Sequence, residues 1–194
     1  IQNLLIKFLE PPKIPVVIVG NITLGGTGKT PVVIWLVEQL KRIRIHPIVI
    51  SKGYKRKSKK TIMVDSRNTA SEVGDEPFMI YKKTKCAVLV TKNRRSALRE
   101  IKKLKTRIDL IICDDGLQDY LMHRTLEIIT VDSSFLFGNK FLLPAGPLRE
   151  PPCRLKKTDI VIFNGNHEIE HKSPHFNMKF IFSEIYNLTN PDEK

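Results

Sequence analysis

The sequence predicts an α/β protein of the phosphate-loop (P-loop NTPase-like) class: a mostly parallel sheet flanked by helices. Three observations predict it. Short runs that are apolar throughout and rich in β-branched residues recur along the chain, and helical patterns separate them. A glycine-rich hexapeptide, 25–30 (GGTGKT), lies directly between the first such run and the first such helix. Strands apolar on both faces need cover on both faces, which is the setting of a parallel sheet wrapped by helices.

Taken in order, residues 15–20 (PVVIVG) read as a buried strand and 29–43 as a helix. A strand at 47–51 and a short one at 61–64 follow, then a helix at 76–83, a strand at 86–91 and a helix at 94–105. Strands at 108–113, 126–132 and 159–163 complete the series. The stretch 133–155 has no clear period and is rich in Gly, Pro and Arg; a long irregular loop inside a compact domain usually carries function. Beyond about residue 164 the pattern weakens, which places a linker or boundary there. Upstream, Ile1, Leu4, Leu5, Phe8 and Leu9 recur at helical spacing until Pro11-Pro12. They suit either a helix packed on the core or the stub of an amphipathic helix at a membrane surface.

The chain of 194 residues suffices for one full α/β domain with a short appendage. No stretch approaches the roughly 20 apolar residues that cross a bilayer as a helix. Lys and Arg number 33 against 20 Asp and Glu, a formal charge of +13 that favours anionic partners of any kind. Cys86, Cys113 and Cys153 are widely spaced, without a C-x-x-C pair, which argues against a disulfide framework or a zinc site.

The hexapeptide carries the chemistry. Glycines let backbone N–H groups turn inward around phosphate oxygens, and the helix that starts there adds its positive end. Thr23, Leu24, Gly25, Gly26, Thr27 and Gly28 form the candidate nucleotide loop. Lys29 supplies a charge for the β- and γ-phosphates and Thr30 a hydroxyl for Mg²⁺. The strict pattern G-x-x-x-x-G-K-[ST] would have Gly where Thr23 stands. A partner carboxylate belongs at the end of a neighbouring strand, and 108–113 delivers Asp114 and Asp115 there.

Three P-loop classes compete. A GTPase needs an N-K-x-D base-reading motif, for which 164–167 (NGNH) is no substitute. A deviant-loop ATPase carries Lys before the Gly pair, where this chain has Leu24. A small-molecule or lipid kinase makes neither demand, but needs a base, arginines that offset phosphate charge, and an acceptor site.

Residues 19–31 (VGNITLGGTGKTP) resemble the signature of the tetraacyldisaccharide 4'-kinases. Four further blocks agree in the same order: 51–54 (SKGY), 73–77 (VGDEP), 114–118 (DDGLQ) and 143–150 (LPAGPLRE), with 137–139 (FGN) fitting as well. The resemblance implies ATP and Mg²⁺ as cofactors and transfer of the γ-phosphoryl group to the 4'-hydroxyl of tetraacyldisaccharide 1-phosphate, giving lipid IVA in lipid A biosynthesis. It also implies a peripheral place at the cytoplasmic face of the bacterial inner membrane, with no obligate protein partner. Asp75 matches the family's catalytic aspartate; read from its residues alone, 74–77 (GDEP) favours a helix start with Asp75 as cap. By the same resemblance Lys29, Asp115 and Arg149 serve catalysis. Thr30, Asp114, Asp115 and Glu150 are candidate metal ligands, with Glu150 alternatively orienting Arg149. Gln118 and Arg94 support substrate or site.

The resemblance divides the chain into residues 1–12, the remnant of a membrane-associating helix; 13–165, the kinase domain; and 166–194, a linker and the start of a second lobe largely missing here. The histidine that the family pairs with its aspartate would lie in that lobe; His167, His171 and His175 do not match it. Two positions depart from the family pattern: Asp119 stands where His is common and Lys52 where Arg is usual. The basic run 55–60 (KRKSKK) suits a solvated loop, anionic lipid or the substrate phosphate. Nucleic acid is not expected, because aromatic platforms and a reader motif are lacking.

Overall fold

The computed structural model describes residues 13–120, 122–166 and 173–181. Its strands are β1 (Val16–Gly20), β2 (Pro47–Ser51), β3 (Ile62–Met63), β4 (Ala87–Val90), β5 (Leu110–Asp114), β6 (Leu126–Asp132), β7 (Ile160–Asn164) and β8 (His175–Met178). The helices are α1 (Lys29–Arg42), α2 (Ala70–Val73), α3 (Asp75–Thr84) and α4 (Arg94–Lys103), with a 3₁₀ helix at Pro152–Lys157. All eight strands join one sheet in the order β3-β4-β2-β5-β1-β6-β7-β8. The pairing of β3 with β4 is antiparallel and the other described pairings are parallel.

The central strand β1 is buried throughout, and its side chains divide by the two-residue period of a strand. Val16 and Ile18 enter one core layer with Ile50, Cys113, Ile129 and Phe163, closed by Ala97 and Ile101 of α4. Val17 and Val19 enter the opposite layer with Val49, Val88 and Ile112, closed by Val33 and Val37 of α1 and Ile80 of α3. Cys86 and Cys113 are both buried, with thiols pushed up by desolvation, that of Cys113 to about 12. They are packing residues, and no disulfide joins the described cysteines.

Two features differ from the sequence reading. The sheet continues past residue 164: β8 pairs in parallel with β7 as an edge strand. Its side chains (HFNM) are mostly exposed, so it lacks the apolar run that marks a central strand. A short helix, α2, precedes α3; Glu72 accepts the Thr69 backbone N–H at 2.8 Å and so caps it. The expected helix at 1–12 and residues 167–172 and 182–194 of the expected linker and second lobe lie outside the described residues, as do His167 and His171.

Because these strands run parallel, the carboxyl ends of β1, β2, β5 and β7 open on one rim. Gly20, Ser51, Asp114 and Asn164 stand there together.

Candidate active site

The loop after β1 turns through Gly25 at φ +104° and Gly28 at φ +88°, and Gly28 is the N-cap of α1. Both values lie in the left-handed region where a Cβ is strained. At Gly28 a Cβ would also come within 2.7 Å of Met178 Cε. The missing first glycine is explained as well: Thr23 forms a β-bridge with Leu148, an extended arrangement that tolerates any side chain. That bridge is one of several ties from the irregular loop. Leu24 N–H donates to Pro147 O at 2.8 Å and Arg149 N–H to Ile22 O at 2.7 Å. From the β6 side, the hydroxyls of Thr27 and Thr130 share a hydrogen bond of 2.7 Å.

Asp114 ends β5 and is buried, with Ser51 Oγ donating to it at 3.1 Å. Burial, then the neighbouring charge of Asp115, pushes its carboxyl up to about 6. Asp115 follows in the left-handed region at φ +48°. Burial would raise its carboxyl, but Lys29 and Arg149 outweigh this and hold it below the usual range. Lys29 Nζ lies 3.6 Å from Asp115 Oδ1, and Arg149 Nη1 is 3.1 Å from the same oxygen and 3.2 Å from the other.

Arg94 explains how the acidic turn is held. It is essentially buried, and its Nη2 donates to the backbone oxygens of Asp114 at 2.5 Å and Asp115 at 2.8 Å. It supports the turn from behind. Asp119, at the departure from the family pattern, sits 3.7 Å from Arg94 Nη1.

A second chain of contacts runs from Arg149 inward. Gln118 Oε1 accepts from Arg149 Nη1 at 3.4 Å, while Gln118 Nε2 donates to Glu150 Oε1 at 2.9 Å and to Asn21 O at 3.0 Å. Arg154 Nε is 3.2 Å from Glu150 Oε2, and Arg154 Nη2 reaches both oxygens of Glu127, at 2.6 and 2.5 Å. Arg124 also pairs with Glu127. Sequence reasoning missed Arg154, Glu127 and Arg124. A glutamate in the middle of an apolar strand, Glu127 in LEIITVD, was the available signal, since a buried charge demands a partner.

Lys29, Asp114, Asp115 and Arg149 face a cleft of about 740 Å³, lined by the loop 24–31, Ser51 to Tyr54, Glu76, Met79, Asp114, Asp115, Arg149, Asn164 and Phe180. Gly53 and Gly74 pack against each other there: a Cβ at Gly74 would lie 2.8 Å from Gly53 Cα. This close approach brings the start of α3 to the cleft. Gly74 itself occupies the cap position and Asp75 is the first helical residue, so the capping alternative for Asp75 is corrected. Asp75 is exposed beside the cleft-lining Glu76 and makes no hydrogen bond or ion pair among the described residues.

Comparison with known proteins agrees with this geometry. The family profile described as Tetraacyldisaccharide-1-P 4'-kinase matches residues 6–193. The chain belongs to the tetraacyldisaccharide 4'-kinase family. Family relatives include the tetraacyldisaccharide 4'-kinases of Methylobacillus flagellatus, 49% identical over 152 residues (78% of this chain, 45% of the relative), and of Haemophilus influenzae, 47% over 168 residues (84% and 50%). The chain spans about half the length of the curated relatives it matches. The fold superposes on the crystal structure of Aquifex aeolicus LpxK in complex with ATP with a TM-score of 0.77. That match is 32% identical and covers 91% of this chain and 58% of that one.

Within this family framework the expected site residues divide. Lys29, Thr30, Asp114, Asp115 and Arg149 share the cleft. Arg94 and Gln118 stand behind it. Glu150 does not line the cleft: it is buried, with one oxygen accepting from Gln118 and the other paired with Arg154. The orienting alternative suits it. Among the described residues no group of three or more His, Cys, Asp or Glu is arranged to hold a metal alone. Mg²⁺ asks for less, since one or two carboxylates and substrate phosphates complete its oxygen shell. Thr30 and Asp114, with Asp115 adjacent, fit that need, and the desolvated carboxyl of Asp114 is a group that a cation would relieve.

Proposed function

We propose that the protein containing this chain transfers the γ-phosphoryl group of ATP to the 4'-hydroxyl of tetraacyldisaccharide 1-phosphate, forming lipid IVA in lipid A biosynthesis. The observation that carries the reading is the convergence of Lys29, Asp114, Asp115 and Arg149 on one cleft floored by the phosphate loop. A phosphoryl transfer asks little covalent chemistry of the protein; positioning and charge stabilisation do the catalysis.

The loop amides and the start of α1 hold the triphosphate, and Lys29 pairs with its outer oxygens. Arg149 spends one nitrogen on Asp115 and Gln118, which leaves the rest of its planar fork for a phosphate oxygen. Thr30, Asp114 and Asp115 would hold Mg²⁺, which would supply a compact positive charge for the phosphate oxygens. Asp75 accepts the proton of the sugar hydroxyl as that oxygen bonds to the γ-phosphorus and the bond to the departing ADP oxygen breaks. Its exposed, unbonded carboxylate beside the cleft suits that role. Gln118, Glu150 and Arg94 are positioning residues for Arg149 and the acidic turn.

The acceptor reaches the cleft from a lipid surface. Among the described residues no helix is long and apolar enough to cross a membrane, so we assign contact with the cytoplasmic face of the inner membrane to peripheral association. The exposed lysines of the loop after β2 offer charge for anionic headgroups.

The test is mass spectrometry of tetraacyldisaccharide 1-phosphate in mixed micelles, with Mg-ATP and the protein at its natural length. A gain of one phosphate is expected, strongly reduced by Asp75→Ala. No gain with ATP binding intact would overturn the assigned acceptor; an unaffected gain would remove Asp75 from the chemistry.

A further inference from the structure

The blocks 137–139 (FGN) and 143–147 (LPAGP) take no part in the chemistry above, yet the structure joins them into one device. Residues 139–148 form a closed loop whose neck is spanned by the side-chain amide of Asn139. Its Oδ1 accepts from Phe141 N–H at 3.1 Å, and its Nδ2 donates to Ala145 O at 3.0 Å. Behind it, Gly146 N–H donates to Leu142 O at 3.1 Å, Leu143 N–H to Leu148 O at 2.9 Å and Leu148 N–H to Phe141 O at 3.1 Å. Gly146 is pressed against the amide: a Cβ there would lie 2.1 Å from Asn139 Oδ1 and 2.4 Å from Phe141 O, so any side chain forces the neck open. Asn139 itself is exposed and does not line the cleft.

The outgoing leg of this loop runs straight into the site. Pro147 O accepts from Leu24 N–H, Leu148 forms the bridge with Thr23, and Arg149 N–H donates to Ile22 O. Residues 147–149 are therefore in register with the entry to the phosphate loop, and the last of them is Arg149. Asp115 and Gln118 fix the far end of the Arg149 side chain, through Nη1. The backbone from which that side chain reaches is fixed by the leg. An untied loop would lose much conformational entropy in taking one shape, and the amide of Asn139 removes that freedom by standing in for backbone partners.

We propose that Asn139 and Gly146 are positioning residues: they close a clasp that holds the backbone of Arg149 in register with the phosphate loop and so aims its guanidinium at the phosphates. The inference rests on the nucleotide-kinase reading above. Groups that offset phosphate charge are effective only when placed beforehand, and a misplacement of about 1 Å can cost on the order of 10²-fold. The phosphate loop has supports of its own, in the Gly28 cap and the bond between Thr27 and Thr130. Arg149 has no other backbone tie to the loop than this leg among the described hydrogen bonds, so it is the group that an open clasp displaces.

The experiment is a double-mutant cycle on the Kd for Mg-ATP, measured by calorimetric titration of the protein at its natural length. Arg149→Ala should weaken Mg-ATP about tenfold, the loss of a charge-assisted contact. Asn139→Ala should weaken it about fivefold while Arg149 is present, and by less than about twofold once Arg149 is replaced, because the two then share one interaction. Gly146→Ala, which pries the neck apart by a different route, should show the same dependence on Arg149. Should one of the two variants fail to fold, the other decides. A loss of equal size in both backgrounds would overturn the proposal, by making the clasp a general support of the phosphate loop. No loss in either background would overturn it too. Coupling in a parent that phosphorylates no acceptor would uphold the clasp and remove the assigned reaction. A parent that does not bind Mg-ATP would sink the kinase reading, and the clasp's role with it.

Discussion

The β5 flank and the α3 flank of the cleft are built on different plans. On the β5 flank, Lys29, Asp115, Arg149, Gln118, Glu150, Arg154 and Glu127 form one continuous chain of bonded charges and dipoles. On the α3 flank, Asp75 is exposed and unbonded, and Lys52 and Tyr54 project into solvent. The physical reason lies in what each flank must do. Groups that offset charge on a transferring phosphoryl are effective when fixed beforehand, because they then cost no reorganisation during the reaction. On the function proposed above, the acceptor side would have to admit a bulky acylated sugar, and a base already bonded to protein would be less free to take a proton. The rigid flank is thus bonded through among the described residues, while the open flank leaves exposed groups beside the cleft.

The comparison is broken most sharply at Asp75. Asp75→Ala should lower kcat by about 10²–10⁴-fold with Mg-ATP affinity unchanged, as loss of a general base does. Melting should hardly move, because Gly74 holds the cap. A loss of nucleotide binding in this variant would mean that the two flanks are not separate. Next in size, Lys29→Ala should cost about 10²–10³-fold in kcat and weaken ATP, measured by initial rates and titration.

Arg154→Leu sharpens the account of the rigid flank. It strips the shared partner from the buried carboxylates of Glu127 and Glu150, and should destabilise by about 3 kcal/mol in denaturant unfolding. Arg154→Lys should recover part of that stability, but it cannot span both carboxylates and should leave kcat depressed. If kcat under native conditions is unaffected by Arg154→Lys, the chain of contacts is structural and does not position Arg149.

The smallest effect is in pH. Asp114 titrates at about 6, raised from 3.8 first by burial. Below that pH it is neutral and a poor cation ligand, so Mg-nucleotide affinity should rise between pH 5 and 7, and Asp114→Asn should flatten the rise. For folding the sign is opposite. The native state binds more protons than the unfolded chain between 3.8 and about 6, so this group's contribution to stability falls as pH rises through that window.

The sequence alone determined the fold class and most of the phosphate flank. Apolar runs such as VVIVG and PIVIS, interleaved with helical patterns, point to the middle of a covered sheet, and glycines next to Lys29 mark a loop that turns through left-handed backbone. Those signals are local, carried by residues adjacent in the chain. Only the tertiary structure decided what depends on neighbours distant in sequence. Edge strand β8 is recognisable by its pairing with β7 and not by its composition. Glu150 is tied to Gln118 and to Arg154, whose other partner Glu127 sits on β6. Asp75 yields the cap to Gly74 because Gly53 must pack against that glycine. Spacing along a chain encodes periodicity and turn chemistry, whereas the partner of a buried charge is set by which strands lie side by side.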